Sequence, residues 1–155
     1  MKSSEADMVF PVLGFTPDGD IWGFPDLDTL TSCGSMTLKK NMQLDMELVD
    51  SRGRRWLVRS IRRLGRARPL VPWLIDLLLT AVPRFRIEQV LEEMTPLTLE
   101  EIKARASAAV ELTSEYYCAE DERDEILVPL LDQVRAASDV AQIHELLGLD
   151  SFLSY

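Results

Sequence analysis

Histidine, cysteine and carboxylate side chains are the groups in this chain that could carry acid–base, nucleophilic or metal chemistry. His144 is the only histidine, and "HELLG" lacks the second histidine of a His-Glu-x-x-His zinc site. Cys33 and Cys118 form no close motif, and the acids beside Cys118 disfavour thiolate chemistry. We therefore predict no catalytic residue, no metal ion and no cofactor, and expect His144 to face solvent or an interface.

Pairs of carboxylates are frequent, and four of them follow one another in the first 30 residues. Asp18, Asp20, Asp26 and Asp28 have a spacing that suggests a calcium loop, but position 12 from Asp18 is Thr29 rather than the glutamate of an EF-hand. These residue types are also typical of turns and helix N-caps. The sequence favours turn and cap roles, and leaves the four open as partner-binding residues.

Two short loops predict β-hairpins in the first part of the chain. Pro17 and Gly19 suit a three-residue loop that pairs Thr16 with Asp20, and Gly53 suits a second one. In "MQLDMELVD" (residues 42–50) apolar and polar residues alternate, which predicts a strand with one wet face. Asp50 would then pair with Arg54. Extending that register is expected to bring together three further pairs: Leu48 with Trp56, Met46 with Val58, and Asp45 with Arg59.

The second half of the sequence has mainly helical patterns. The apolar run at residues 70–82 is too short for a membrane span and predicts a buried helix. Residues 84–94 fit a strand or a helix, and we favour a strand. Thr98 and Glu101 form the signature of a capping box, and helices are expected to follow to the end of the chain.

The predicted architecture is a single α+β domain over residues 1–155, with an N-terminal antiparallel β-meander packed against C-terminal helices. Residues 1–7 are expected to be a flexible tail, 8–68 mainly strands and 69–155 mainly helices, with the added strand at 84–92. No signal peptide or membrane span is evident, which indicates a cytoplasmic protein, by default a bacterial one.

Charge is distributed unevenly along a chain whose formal net charge is −9. Residues 1–50 hold three lysines and nine acids, residues 51–90 ten arginines and two acids, and residues 91–155 four basic residues and fifteen acids. The arginine stretch (residues 52–68) holds eight of these arginines. Such a stretch either contacts a polyanion such as nucleic acid or is neutralised within the fold.

Internal neutralisation is the favoured interpretation of the arginine stretch. The chain as a whole repels polyanions, and Trp56, the one aromatic residue in the stretch, is expected to be buried. Asp45, Glu47 and Asp50 on the facing strand are the expected partners of about three arginines. Four would remain and are expected to dock against the acidic C-terminal helices: Arg62, Arg63, Arg66 and Arg68.

A run of acids near the C-terminal helices is the favoured interaction surface. It comprises five residues, here called the acidic segment: Glu120, Asp121, Glu122, Asp124 and Glu125. Closely spaced like charges repel one another and suit a basic partner. Tyr116 and Tyr117 precede the acidic segment and would supply aromatic anchors. The expected partner is a basic protein rather than a nucleic acid or a membrane, and the chain is expected to be a monomer or a homodimer.

Three stretches of this sequence carry a family resemblance: "DGDIWGF", "LTSCG" and "MELVDSRGRRWLVRSIRR". Over about the first 65 residues the chain resembles the small acidic immunity proteins of bacterial polymorphic or contact-delivered toxin systems. The resemblance implies a non-enzymatic inhibitor that neutralises a cognate toxin, often a nuclease or another enzyme with a basic active-site face. A secretion-system chaperone for an effector is the alternative, and a polyanion binder that uses residues 52–68 is a third.

Overall fold

Six antiparallel strands form one curled sheet in the computed structural model, which describes residues 1–66, 74, 78 and 84–149. The strands are β1 (Val12–Phe15), β2 (Ile21–Phe24), β3 (Ser32–Gly34), β4 (Glu47–Val49), β5 (Arg55–Arg66) and β6 (Arg84–Met94). Their order across the sheet is β2-β1-β4-β5-β6-β3, so β2 and β3 are its two edges. The added strand at 84–92 is thus confirmed. Only β4, β5 and β6 form a meander, since β3 crosses to the far edge.

Five helices flank the sheet in the part of the chain that the structure describes. They are α1 (Leu27–Leu30), α2 (Ser35–Lys39), α3 (Leu99–Leu112), α4 (Val128–Ala136) and α5 (Val140–Leu146). The expected capping box starts α3: the Glu101 N–H donates to Thr98 Oγ1 at 3.2 Å, and the Thr98 N–H donates to Glu101 Oε2 at 3.1 Å. Between α3 and α4 lie 3₁₀ turns at Ser114–Tyr116 and Glu120–Glu122, followed by a π-helical turn at Arg123–Leu127. The predicted α+β domain with C-terminal helices is confirmed.

The sheet is buried on both faces around its first hairpin, so it separates two apolar clusters. One cluster joins Leu13, Phe15 and Val49 to the inner faces of α3, α4 and α5. The other lies inside the curl and contains Trp56 and Leu48. Alternate residues of one strand therefore enter different cores, which is why these strands are apolar throughout.

Both predicted hairpin loops are present with the expected registers. The Thr16 N–H donates to Asp20 O at 3.0 Å, and the Asp50 N–H donates to Arg54 O at 3.0 Å. Gly19 and Gly53 have φ values of 90° and 83°, which glycine adopts at little cost. Leu48 lies opposite Trp56, and the Val58 N–H donates to Met46 O at 3.0 Å, as expected.

Asp50 holds the second hairpin through a carboxylate that is wholly buried. The carboxylate accepts backbone N–H groups from Val9, Arg52 and Arg54 at 2.9–3.1 Å, and the guanidinium of Arg54 lies 3.0 Å from Asp50 Oδ2. The same guanidinium lies 5.1 Å from the centroid of the Trp56 ring. Because a buried charge is tolerated only when it is paired and hydrogen-bonded, this contact set fixes the loop and ties the N-terminal segment to it.

The strand predicted from residues 42–50 is wrong over its first half. Asn41 and Asp45 have positive φ values of 50° and 59°, and the strand begins only at Glu47. The expected faces are reversed there, because Gln43 is buried and Leu44 is exposed. Asp45 is not the strand neighbour of Arg59, since it precedes β4 and its N–H donates to Val58 O, although its negative charge still acts on the Arg59 guanidinium.

The first three residues of the segment expected to be a flexible tail, residues 1–7, lie along β6. The Ser3 N–H donates to Gln89 O at 2.9 Å, the Leu91 N–H donates to Met1 O at 2.6 Å, and Ser3 is buried. Backbone pairing overrides a polar, unpatterned sequence here because β6 offers unpaired backbone groups. The buried helix predicted at 70–82 lies outside the described residues except for Leu74 and Leu78, which are helical but exposed.

Trp56 gives a direct test of the core inside the curl. It is 2% exposed, so we expect Trp56→Ala to lower the free energy of unfolding by about 3–5 kcal/mol, from lost burial and the cavity left behind. Chemical denaturation measures the change. Leu64→Ala is the matched control on the same strand, since Leu64 is half exposed, and should change stability by less than about 0.5 kcal/mol. Equal effects of the two substitutions would contradict this core.

Candidate functional site

The first hairpin loop and the end of α3 bring two predicted groups of site residues together. A Cβ built on Gly19 would lie 3.0 Å from Leu112 Cδ2, so the loop that carries Asp18 and Asp20 rests on the last turn of α3. The chain then continues through the turn that contains Tyr116 and Tyr117. Residues about 100 positions apart in the sequence thus share one surface.

Asp20 and Tyr117 are electrostatically coupled at this junction. Asp20 accepts the Ile21 N–H through its carboxylate at 2.8 Å and donates its own N–H to Thr16 Oγ1 at 2.9 Å, which holds the carboxylate in place. Burial, together with the negative charge of Asp20, raises the pKa of Tyr117 to about 12. Tyr117 is therefore a neutral phenol at physiological pH, while its neighbour Tyr116 is largely exposed.

The acidic segment lies on the surface directly after these tyrosines. All five of its carboxylates are exposed, and within the described ranges none of them forms an ion pair. Glu122 accepts the Ala119 N–H at 3.1 Å and so caps its own turn. Arg123, the basic residue within the run, directs its guanidinium to Ser114 Oγ at 3.2 Å. The run is thus ordered by backbone capping and retains its negative charge.

The other two predicted aspartates serve the local structure. Asp26 is the N-cap of α1 and accepts the Thr29 N–H at 2.7 Å. Asp28 lies 2.8 Å from the guanidinium of Arg86 on β6. The expected turn and cap roles therefore fit Asp20 and Asp26, whereas Asp28 forms an ion pair across to the sheet. Asp18 is exposed at the tip of the loop.

A cavity of about 310 Å³ lies between the two edge strands of the sheet and reaches the tyrosines. Its walls are mostly apolar, with a few polar groups among them. The described residues that line it are Asp20, Ile21, Trp22, Phe24, Thr29, Ser32, Cys33, Thr37, Met42, Gln43, Arg84, Tyr116 and Tyr117. The cavity exists because the curled sheet brings β2 and β3 to face each other without pairing. Sequence patterns do not reveal it, since they place Gln43 on a wet strand face.

The two cysteines are the possible nucleophiles, and Cys33 is buried while Cys118 is half-buried. Burial raises the pKa of the Cys33 thiol, although the nearby positive charge of Arg84 acts in the opposite direction. Cys118 points its sulfur toward Ser114 O at 3.8 Å, and both cysteines are free thiols. In the part of the chain that the structure describes, no three histidine, cysteine or acidic residues lie together in a group that could hold a metal ion.

His144 was expected to face solvent or an interface, but it is buried inside the fold against β2. A Cβ on Gly23 would lie 2.6 Å from His144 Nε2 and 2.4 Å from Leu149 Cβ. Glycine in β2 therefore leaves the space into which α5 and its imidazole pack. A single sequence gives no signal for this contact, because the two residues are 121 positions apart.

The arginine stretch is largely neutralised within the fold, partly by the predicted acids and partly by β6. Asp50 binds Arg54 and Glu47 binds Arg55, as expected. Arg59 pairs with Glu92, and Arg62 lies 3.1 Å from Glu88. The guanidinium of Arg63 lies 4.1 Å from the centroid of the Phe85 ring. Docking of Arg62 and Arg63 on the C-terminal helices was thus a wrong expectation, because β5 runs beside β6 along its whole length. Arg68 lies outside the described residues.

Glu47 connects the sheet to the helical layer. The expected contacts joined strand arginines to helix carboxylates, whereas here the carboxylate is on the strand and the arginine on the helix. Its carboxylate lies 3.1 Å from Arg55 of β5 and 2.7 Å from Arg105 of α3. Burial alone would raise the pKa of Glu47, but hydrogen bonds and charges from these two arginines lower it. A helix arginine thus binds a strand carboxylate here.

No protein-family model, no curated protein and no solved structure matches this chain. A search of the described residues finds no helix long and apolar enough to cross a membrane. The function of the site is therefore interpreted from its own geometry.

The shifted pKa of Tyr117 predicts a pH dependence. Because the folded state retains a proton that an ordinary tyrosine loses near pH 10, this residue's contribution to the free energy of unfolding is complete below pH 10 and is lost as the pH rises toward 12. Denaturant titrations over that range should show a shallower decline for Tyr117→Phe than for the parent. Ultraviolet titration of the folded protein should lose its latest tyrosinate transition in the same variant. An unchanged decline and an unchanged titration would show that Tyr117 is an ordinary tyrosine.

Proposed function

We propose that this protein is a non-enzymatic binding module whose acidic surface binds a basic protein partner. Its most specific form is an immunity-type inhibitor that neutralises a cognate bacterial toxin. The surface comprises the acidic segment, the two tyrosines before it and the aspartates of the first hairpin loop. The two loop aspartates nearest to it are Asp18 and Asp20.

The observation that carries this proposal is a contrast between two sets of acidic residues, one that binds arginines within the fold and one that does not. Six acids bind arginines of β5, of its preceding loop, of β6 or of α3: Asp7, Asp28, Glu47, Asp50, Glu88 and Glu92. The five carboxylates of the acidic segment bind none of the described cations. Five unpaired carboxylates therefore lie close together in one ordered segment, which gives that surface a high local density of negative charge.

Local electrostatics favour a cationic partner at this surface. Helix α3 ends at Leu112 with no basic residue in its last turn, so the negative end of its dipole points toward the same region. Glu111 and Glu115 flank that end. A partner's lysines or arginines would relieve this accumulated repulsion and would associate faster through electrostatic steering.

Electrostatic steering raises the association rate, and the aromatic groups beside the acidic segment would add affinity through direct contact. Tyr116 is 63% exposed, and tyrosine is enriched among residues that contribute most to interface affinity. An exposed aromatic ring next to an acidic rim suits a basic protein surface. An inhibitor built this way would block a toxin by covering a positively charged active-site face, with no chemistry of its own.

Removing the charge of the acidic segment tests the proposal. The partner is first identified by affinity capture with the parent chain, and association rates are then measured for a variant with Glu120→Gln, Asp121→Asn, Glu122→Gln, Asp124→Asn and Glu125→Gln. Association should slow several-fold at low salt and differ less at high salt, because salt screens steering.

A matched control separates the surface from net charge alone. It replaces five exposed acids elsewhere by their amides: Glu5, Glu93, Glu100, Asp132 and Glu145. The control variant should associate at close to the parent rate. If both variants slow equally, total charge alone matters; if neither slows, the acidic segment takes no part in binding, and either result refutes this surface.

The arginine stretch leads to a separate prediction about nucleic acid. Since Arg59, Arg62 and Arg63 already have partners within the fold, we expect no useful binding of duplex DNA at physiological salt in a fluorescence titration. The competing polyanion hypothesis predicts micromolar binding that weakens steeply with salt. It also predicts loss of that binding in Arg62→Ala, Arg63→Ala and Arg66→Ala, whereas amide substitutions in the acidic segment would not abolish it.

Growth assays distinguish the immunity role from the chaperone alternative. A gene adjacent to this one is expressed with and without the chain. Rescue of growth by the parent, together with weaker rescue by the five-amide variant, supports an immunity protein. Lack of toxicity, with secretion of the neighbouring product dependent on this chain, supports a chaperone instead.

A further inference from the structure

Gln43 presents an unused hydrogen-bond donor to the cavity between β2 and β3. The residue is 3% exposed, and its Oε1 accepts a hydrogen bond from Gln89 Nε2 at 2.9 Å. Gln89 Nε2 also donates to Leu30 O at 2.7 Å, so both of its hydrogens are used and the amide oxygen of Gln43 must face it. The NH₂ group of Gln43 then makes no hydrogen bond to any described residue. The NH₂ group opens onto the cavity, where a ligand can accept its hydrogen bonds.

Tyr117 supplies a second donor to the lining of the cavity. Its hydroxyl also has no hydrogen-bond partner within the described part of the chain, and the phenol remains protonated at physiological pH. The cavity thus has two polar groups able to donate to one oxygen-bearing ligand. A carbonyl oxygen accepts two hydrogen bonds and suits both.

The charged groups of the cavity disfavour an ionic ligand. The Arg84 guanidinium already donates to Ser32 Oγ at 3.0 Å and lies 3.4 Å from Ser32 O. Asp20 contributes a negative charge to the same lining, in a chain whose net charge is −9. An anion would meet the positive charge of Arg84 but also the negative charge of Asp20, so these two groups give it no net attraction. A cation would find a counter-charge at Asp20 but would leave the donors of Gln43 and Tyr117 unsatisfied.

The apolar walls set the size and character of the remainder of the ligand. Trp22, Phe24 and Met42 line the cavity, and aromatic rings and a methionine thioether pack well against a flat apolar group. A volume of about 310 Å³ is at the lower end of the range for small-molecule sites. It fits a single ring with a short polar substituent rather than a nucleotide or a long acyl chain.

We propose that this cavity is a binding site for a small, uncharged aromatic molecule that carries a carbonyl group. The carbonyl oxygen accepts hydrogen bonds from Gln43 Nε2 and the Tyr117 hydroxyl, and the ring lies against Trp22 and Phe24. This proposal requires no protein partner and is tested separately from the function proposed above, although the two sites share Asp20 and Tyr117. Its occupancy would order the tyrosine turn, since Tyr116 and Tyr117 form part of its wall.

Titration with four probes that share one ring tests the proposal on the parent protein. The probes are phenylacetamide, which has a neutral carbonyl, phenylacetate, 2-phenylethylamine and toluene. Binding is followed by tryptophan fluorescence, because Trp22 lines the site, and by nuclear magnetic resonance of the Gln43 side-chain NH₂. Phenylacetamide should bind with one-to-one saturation, more tightly than the other three, and should shift the Gln43 resonances.

Two substitutions assign the hydrogen bonds. Gln43→Leu and Tyr117→Phe should each weaken phenylacetamide binding by roughly 2- to 10-fold, the effect of one lost hydrogen bond, while toluene binding changes little. Tyr117→Phe removes only a hydroxyl without a protein partner, so it keeps the test valid if Gln43→Leu fails to fold. Gln133→Leu, at an exposed position of α4, is the control and should bind as the parent does.

Three results would overturn the proposal. The first is the absence of saturable binding by phenylacetamide. The second is tighter binding of phenylacetate or 2-phenylethylamine, which would assign the site to an ion. The third is unchanged phenylacetamide affinity in Tyr117→Phe and in any folded Gln43→Leu variant, which would place the binding elsewhere.

Discussion

Burial of the sheet on both faces is the constraint on which the rest of the structure depends. A strand between two cores has no face for polar side chains, and it must let both layers approach closely. Two glycines provide that space: a Cβ on Gly14 would lie 2.5 Å from Met46 Sδ, and one on Gly23 would lie 2.4 Å from Leu149 Cβ. With helices on one face and the second core inside the curl, β2 and β3 face each other across a gap, and that gap is the cavity.

Ion pairs of the arginine stretch lie both at the junctions between layers and on the exposed parts of β5 and β6. Asp50 and Glu47 are held by arginines at the junctions between layers, where reduced solvent access strengthens each contact. Strands β5 and β6 are the longest of the sheet. On their exposed parts, Arg59 and Arg62 of β5 bind Glu92 and Glu88 of β6. The five carboxylates of the acidic segment form no ion pair with the described residues, and the proposed binding of a basic partner depends on that charge.

The two proposed sites meet at Asp20 and Tyr117. Asp20 belongs to the acidic surface and to the cavity lining, and Tyr117 lies between them. A ligand that binds the phenol would contact the turn on which Tyr116 is presented. Ligand binding in the cavity would then change the affinity for the proposed protein partner, and partner binding would change the affinity for the ligand by the same factor.

The sequence by itself determined the local features: both hairpin loops with their glycines, the register from Leu48 to Trp56 and the capping box of α3. For residues 84–94 it favoured a strand but left a helix open. Each of these features depends on residues close in the chain, where turn geometry and periodicity act directly. Only the tertiary structure decided the partners of the arginines, the burial of Gln43 and His144, and the meeting of Asp20 with Tyr117. These contacts join residues that are distant in sequence, and they depend on how far the sheet curls and which helix covers which strand, neither of which has a local pattern.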